Sequence, residues 1–227
     1  MRATYQGIND LPAEIPVFPL VSAILLPRAT MPLNIFEPRY LAMVDAALGA
    51  DRLIGMIQPT SEGGVTGSPE GGAALCRVGC AGRITAFQEL DDGHQLIVLK
   101  GVARFVIGSQ QTSTTPYRVF RVDYRPFAAD LAAATDEADV DREKLLDVLK
   151  RFLDGRQATA DWKQISATGT EQLVNWLSVA SPFAPKEKQA LLEAPSLKQR
   201  AETLIALAEM ELASSGTAGG GSTGRVQ

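Results

Sequence analysis

Apolar positions change their spacing once along this chain, from the alternation of strands to the three-to-four periodicity of helices. Strands are expected at Ile15 to Leu20 and Pro32 to Phe36, where Pro12, Pro16, Pro19, Pro27, Pro32 and Pro38 disfavour helix and suit extended or edge chain. Between Glu37 and Gly49 the spacing of Tyr40, Leu41, Val44, Ala47 and Leu48 predicts one amphipathic helix, with Pro38 at its first position and Gly49 closing it. Leu53 to Gln58 reads as a buried strand, and Pro59 to Ala74, with five glycines, as a long loop. Further strands are expected at Arg83 to Leu90, His94 to Lys100, Ala103 to Ile107 and Tyr117 to Tyr124, with Asp92-Gly93 as a hairpin turn.

After Pro126 the pattern is helical. An acidic stretch, Asp136 to Asp141, leads into Leu145, Leu146, Leu149, Phe152 and Leu153, with Asp139 or Asp141 as the cap and Gly155 as the stop. Leu173, Val174, Trp176, Leu177 and Ala180 form a second stripe, and Pro185 opens a third segment containing Leu191 and Leu192. Ser196 and Gln199 have capping-box spacing before a last helix with Leu197, Ala201, Leu204, Ala208 and Leu212 on one face. Ser214 to Gln227, rich in glycine, is expected to be a flexible tail.

Composition narrows the class. With 227 residues and 45% hydrophobic content the chain can bury a substantial core, and 22 basic against 26 acidic residues leave a net charge of −4, so no general attraction to nucleic acid or an anionic membrane is expected. No apolar run approaches the roughly 20 residues of a membrane span, and Met1 to Glu14 lack a secretory h-region, so a cytoplasmic location and no membrane partner are expected. Cys76 and Cys80 read as reduced packing residues, and the single His94 as a polar hairpin residue, with no metal-ligand spacing and hence no metal or cofactor.

Catalytic signatures are lacking as well. The nearest approach to a phosphate-binding loop, Gly219-Gly-Gly-Ser-Thr-Gly-Arg-Val226, puts Arg225 and Val226 where Lys and Ser or Thr belong, and no serine stands in a recognisable nucleophile setting. A non-enzymatic role is therefore expected.

Several local motifs occur in a characteristic order: Ile15-Pro-Val-Phe-Pro-Leu20, Leu25-Leu-Pro27, Met31-Pro-Leu-Asn-Ile-Phe-Glu-Pro-Arg-Tyr40, Ile54-Gly-Met-Ile-Gln-Pro59, Val78-Gly-Cys-Ala-Gly-Arg-Ile84, Gly101-Val-Ala-Arg-Phe105, Pro116-Tyr-Arg118, Pro185-Lys-Glu-Lys-Gln-Ala-Leu-Leu-Glu193 and Arg200-Ala-Glu-Thr-Leu204. Together, over residues 14 to 213, they resemble the N-terminal, substrate-binding domain of bacterial-type Lon proteases, in a form without the ATPase and Ser-Lys peptidase modules. The resemblance implies an α+β fold: a PUA-like β pseudobarrel over 1–127, an α-helical bundle over 128–213 and a tail over 214–227.

It also implies a peptide- or protein-binding module, an adaptor for substrate recognition in ATP-dependent proteolysis. Its expected partners are unfolded or peptide segments of other proteins, a separate ATP-dependent protease or chaperone, and a weakly associating second copy. Candidate binding residues are Phe36, Glu37, Arg39, Tyr40, Arg83 and Arg104, because Arg and aromatic side chains are favoured interface anchors. Each has a structural reading too: Glu37 capping the helix or pairing with Arg39, Tyr40 packing inward, and Arg83 and Arg104 on a solvated strand face. The alternative functions are RNA binding, which needs a basic face although Lys150-Arg151 is the only adjacent basic pair, and a small-molecule sensor at the junction of barrel and bundle.

Overall fold

The structure, a computed structural model, describes residues 5–60, 73–155 and 161–218. In chain order its elements are β1 (Glu14–Pro19), β2 (Thr30–Ile35), α1 (Pro38–Leu48), β3 (Leu53–Ile57), β4 (Val78–Glu89), β5 (Gln95–Gln110), β6 (Val119–Asp123), α2 (Arg142–Gly155), α3 (Trp162–Ala167), α4 (Thr170–Ala180), α5 (Pro185–Glu193) and α6 (Leu197–Ala218). The mixed α+β expectation holds. Of the loop expected over 59–74, residues 61–72 lie outside the described residues, as do 219–227 of the expected tail; 214–218 continue α6.

Three elements differ from their expected form. The strands expected at 94–100 and 103–107 are one strand, β5, because Gly101 pairs with Gly82 of β4 instead of ending the run. β4 starts at Val78, five residues before the expected Arg83, since the small residues of Val78-Gly-Cys-Ala-Gly82 carry little strand signal but pair with β5, in unbroken register from Val78 to Ala81 and with a one-residue shift before Gly82. The short helix α3 was not expected; the Asp161 side chain caps it by accepting from the Gln164 N–H at 3.1 Å.

The capping expectations resolve individually. Asp141, not Asp139, accepts from the first turn of α2, at 2.9 Å from the Lys144 N–H, and Ser196 does the same for Gln199 at 3.2 Å. Gly93 sits at φ +80°, the left-handed conformation that the turn between β4 and β5 requires.

The six strands form one sheet in the order β2-β5-β4-β3-β1-β6, and β6 also pairs with β5. The pairings β5–β4–β3–β1–β6–β5 therefore close a ring of five strands, with β1–β3 parallel and the other contacts antiparallel. β2 stays outside the ring, and among the described residues β5 is its one strand neighbour.

Leu11, Ile15, Val17, Leu53, Ile57, Ala81, Phe105, Phe120, Val122 and Tyr124 make up one buried core cluster. At its centre the fully buried Phe105 ring occupies space left by two glycines. A Cβ on Gly79 would stand 2.5 Å from Phe105 Cζ, and one on Gly55 3.0 Å from the same atom. Close packing leaves such a ring no room to retreat.

The chain divides into two compact units, residues 1–134 with 179–193, and 135–178 with 194–227. In the first, α5 is clasped to the sheet by Gln58, whose amide donates to the Pro185 carbonyl (3.0 Å) and to Gln189 Oε1 (3.1 Å), while Gln189 Nε2 donates to the Val78 carbonyl (3.0 Å). Lys188, also on α5, is buried and donates to the Val179 carbonyl; burial pulls its pKa below the ordinary 10.5.

In the second unit, α2 packs along α6, and Arg142 donates to the carbonyls of Ser166 (3.0 Å) and Thr168 (2.7 Å) at the end of α3. Asp136 accepts from the Lys198 N–H at 2.9 Å and so caps α6. Among the described residues no helix is long and apolar enough to cross a membrane.

Two measurements check this packing. Gly79→Ala should cost about 1–3 kcal/mol in a urea melt, and adding Phe105→Leu should relieve only the clash with the ring, because the new methyl also meets the Met56 carbonyl oxygen at 2.6 Å. For Lys188 the folded pKa lies below the unfolded one, so between them the unfolded chain holds the extra proton and stability rises with pH. The stability of wild type relative to Lys188→Met should therefore increase as pH rises toward the ordinary lysine value of 10.5.

Candidate functional site: an exposed face of three strands

The largest exposed apolar side chains of the sheet cluster on one part of it. β2, β5 and β4 run side by side with Asn34 opposite Leu96 opposite Gln88, and Pro32 opposite Val98 opposite Ala86. Side chains alternate across a sheet, so Pro32, Asn34, Leu96, Val98, Ala86 and Gln88 share the outer face, while Leu33, Ile97 and Phe87 share the other. Ile97 is buried, whereas Leu96 is 40% exposed and Phe87, at the strand end, 38% exposed. Phe36, one residue past β2, is 60% exposed, with its ring 5.8 Å from the His94 imidazole.

Four carboxylates border this end of the face. Glu37 pairs with Arg39 at 2.7 Å, and Asp92 lies 3.3 Å from His94 Nδ1; Glu89 and Asp91 are exposed nearby. The other end carries Lys100, opposite Thr30 and Arg83.

The expected binding residues separate into four settings. Phe36, Glu37 and Arg39 lie at the junction of β2 and α1, beside the exposed face. Glu37 occupies the position before α1 but makes no side-chain cap; its carboxylate is held by Arg39, whose guanidinium also lies 4.5 Å from the Tyr40 ring centre. Tyr40 is buried edge-on against Phe18, ring centres 4.4 Å apart; burial pushes its pKa up, with Arg39 opposing and Glu37 adding to the rise. Arg83 is half-buried and donates to the Tyr5 hydroxyl (3.1 Å) and the Asp51 carbonyl (3.0 Å).

Arg104 is only 4% exposed. Its Nε and Nη2 grip both oxygens of Asp130 (2.9 and 2.8 Å), Nη1 donates to the Leu192 carbonyl (3.1 Å), and the guanidinium stacks 4.5 Å from the Phe127 ring centre. The Arg104 N–H also donates to Asp130, at 2.9 Å. This side chain presents no surface to a ligand: it ties β5 to the segment 125–131 and to the end of α5.

Leu96, Pro32 and Val98 were not among the expected site residues. Leu96-Ile-Val-Leu99 is apolar throughout, so its alternation cannot be read, and only the strand register shows that Leu96 and Val98 face outward.

A groove of about 460 Å³ lies elsewhere in the same unit, between the chain around Gln58–Thr60 and α5, and includes Cys76, Lys186 and Glu193. Both cysteines are free thiols, and burial, reinforced by Glu193, raises the pKa of Cys76, which makes it a weak nucleophile.

A five-stranded ring with an extra edge strand, and a helical unit, define a domain of mixed α+β architecture. The chain belongs to the ATP-dependent protease La (LON) substrate-binding domain family, whose model matches residues 14–209. It is 25% identical over 209 residues to Lon protease of Flavobacterium johnsoniae, covering 90% of this chain and 25% of that protein, and 24% identical over 208 residues to Lon protease of Anaeromyxobacter dehalogenans, covering 88% and 23%. It thus spans about a quarter of the length of these relatives. The fold is similar to the N terminal domain of Mycobacterium avium complex Lon protease, with TM-score 0.63, 19% identity and coverage of 86% of this chain and 98% of that one. It is also similar to the Lon N-terminal domain protein from Xanthomonas campestris, with TM-score 0.57, 23% identity and coverage of 85% and 97%.

Because Arg104 and Asp130 are buried together, removing one leaves the other charge unpaired. Arg104→Met or Asp130→Asn alone should lower unfolding free energy by about 3–5 kcal/mol, and Arg104→Met with Asp130→Leu should cost less than the two summed. Chemical denaturation of the four proteins measures this; fully additive losses would show that the two groups do not act as a pair.

Proposed function

We infer that this chain binds extended, non-native segments of other proteins on the exposed β2–β5–β4 face and acts as a substrate adaptor in ATP-dependent proteolysis. The observation that carries the reading is the exposure of Phe36 and Leu96 on neighbouring strands, with Pro32 and Val98 on the same face as Leu96. Leaving large apolar side chains in water forgoes roughly 1.5–3 kcal/mol for each that could be buried, so their clustering suits a surface that is covered in use. Membership of a substrate-binding domain family supports the same conclusion.

The contacts offered are side chains of ordinary hydrophobic chemistry with no deep enclosing pocket, which suits many unrelated segments better than one defined small molecule. The carboxylates at the Phe36 end would repel a phosphate backbone, so the face fits polypeptide better than RNA. Cytoplasmic action belongs to the same proposal.

A permanently unfolded probe, such as a reduced and carboxymethylated model protein, tests the reading by fluorescence anisotropy. Phe36→Asp combined with Leu96→Lys should weaken its binding about tenfold or more, as expected for interface anchors, while shifting stability by no more than about 0.5 kcal/mol per site. Unchanged affinity in a variant that still melts like wild type would sink the proposal.

A further inference from the structure

β2 is an edge strand, and its free edge is the most unusual feature of the exposed face. The Gly101 N–H donates to the Ala29 carbonyl at 2.8 Å, so Ala29 directs its backbone toward β5. Alternation along the antiparallel pair then directs Met31, Leu33 and Ile35 toward β5 and leaves Thr30, Pro32 and Asn34 facing outward. Pro32 fits this assignment, since it has no N–H to contribute to a ladder. All three outward-facing residues are exposed, and their carbonyls, with the N–H groups of Thr30 and Asn34, form a row with no backbone partner among the described residues.

Folded proteins ordinarily protect such edges with charge, bulges or a covering element. Among the described residues the protection here is a single proline, Pro32. Thr30 to Ile35 contain no charged side chain, and the strand continues directly into the exposed Phe36.

We propose that a bound polypeptide segment joins the sheet as an added strand along the outer edge of β2, with its basic residues at the end beside Phe36. This rests on the reading of the β2–β5–β4 face as the polypeptide-binding surface, and it names how the segment is held and what chemistry it carries. Main-chain hydrogen bonds to Thr30, Pro32 and Asn34 supply affinity that is indifferent to sequence, while alternate side chains of the segment lie next to the Pro32 and Phe36 side of the sheet. Charge complementarity orients the occupant. Glu89 and Asp91 have no ion-pair partner among the described residues, and with Glu37 and Asp92 they outnumber Arg39 and His94 at that end. A segment with lysine or arginine at this end and β-branched residues along its length meets both demands.

The probe is a fluorescent peptide of about ten residues, alternating valine and threonine with two lysines at one end, measured against the full chain at low salt. Three changes are compared. N-methylating every second residue of the peptide in the phase that faces β2 removes its donors without altering its side chains; replacing the lysines by glutamates reverses the charge; and Asn34→Pro in the protein removes an outward N–H without touching the β5 ladder. Each should weaken binding about tenfold or more, and methylation in the opposite phase should have a markedly smaller effect.

Equal tolerance of both methylation phases overturns the added strand, whether or not Asn34→Pro folds. If the peptide still binds in that case and Phe36→Asp with Leu96→Lys abolishes it, the exposed-face reading stands without strand addition. Failure of the unmodified peptide and of the unfolded probe alike overturns both.

Discussion

One strand must serve three neighbours: β5, sixteen residues long, pairs with β2 and β4 along its first part and with β4 and β6 along its second. A strand that long cannot remain flat, because twist accumulates along it, and its register with β4 shifts at Ala81/Gly82 and Ile84/Ala86 where the sheet bends. That bending lets the far end of β5 meet β6 and close the ring. The same strand therefore fixes the position of Phe105 inside and of Leu96 outside.

The division between its two parts is also a division of labour. Around Phe105 and Arg104 nearly every group is satisfied: glycines fit the ring, Asp130 neutralises the guanidinium, and α5 supplies a carbonyl acceptor from Leu192. Around Leu96 the sheet is covered on one face only and, among the described residues, has an open edge and an acidic rim. A closely packed core beside an unfinished sheet margin is a physical arrangement suited to accepting a strand from elsewhere, since the binding surface is held in shape before anything arrives.

Arginine shows how similar residues acquire opposite roles. Arg39, Arg83 and Arg104 are equally plausible interface anchors by residue type, yet Arg104 lies inside an ion pair, Arg83 braces Tyr5 and the Asp51 carbonyl, and Arg39 alone remains beside the exposed face. Nothing local to Ala103-Arg-Phe105 announces burial. The deciding partner, Asp130, stands 26 positions away and is brought there by closure of the ring.

Sequence periodicity by itself determined the order of strands and helices, the start of α1 at Pro38, the turn at Gly93 and the Ser196 cap of α6, because each depends on residues within a few positions of one another. The ordered motifs went further and carried the family resemblance. Tertiary structure alone decided that β4 begins at Val78, that two expected strands are one, that residues 179–193 pack with the sheet unit, and which side of Leu96-Ile-Val-Leu99 meets water. Those properties come from pairing and burial between distant segments, and a uniformly apolar run contains no information about which of its faces another strand will cover.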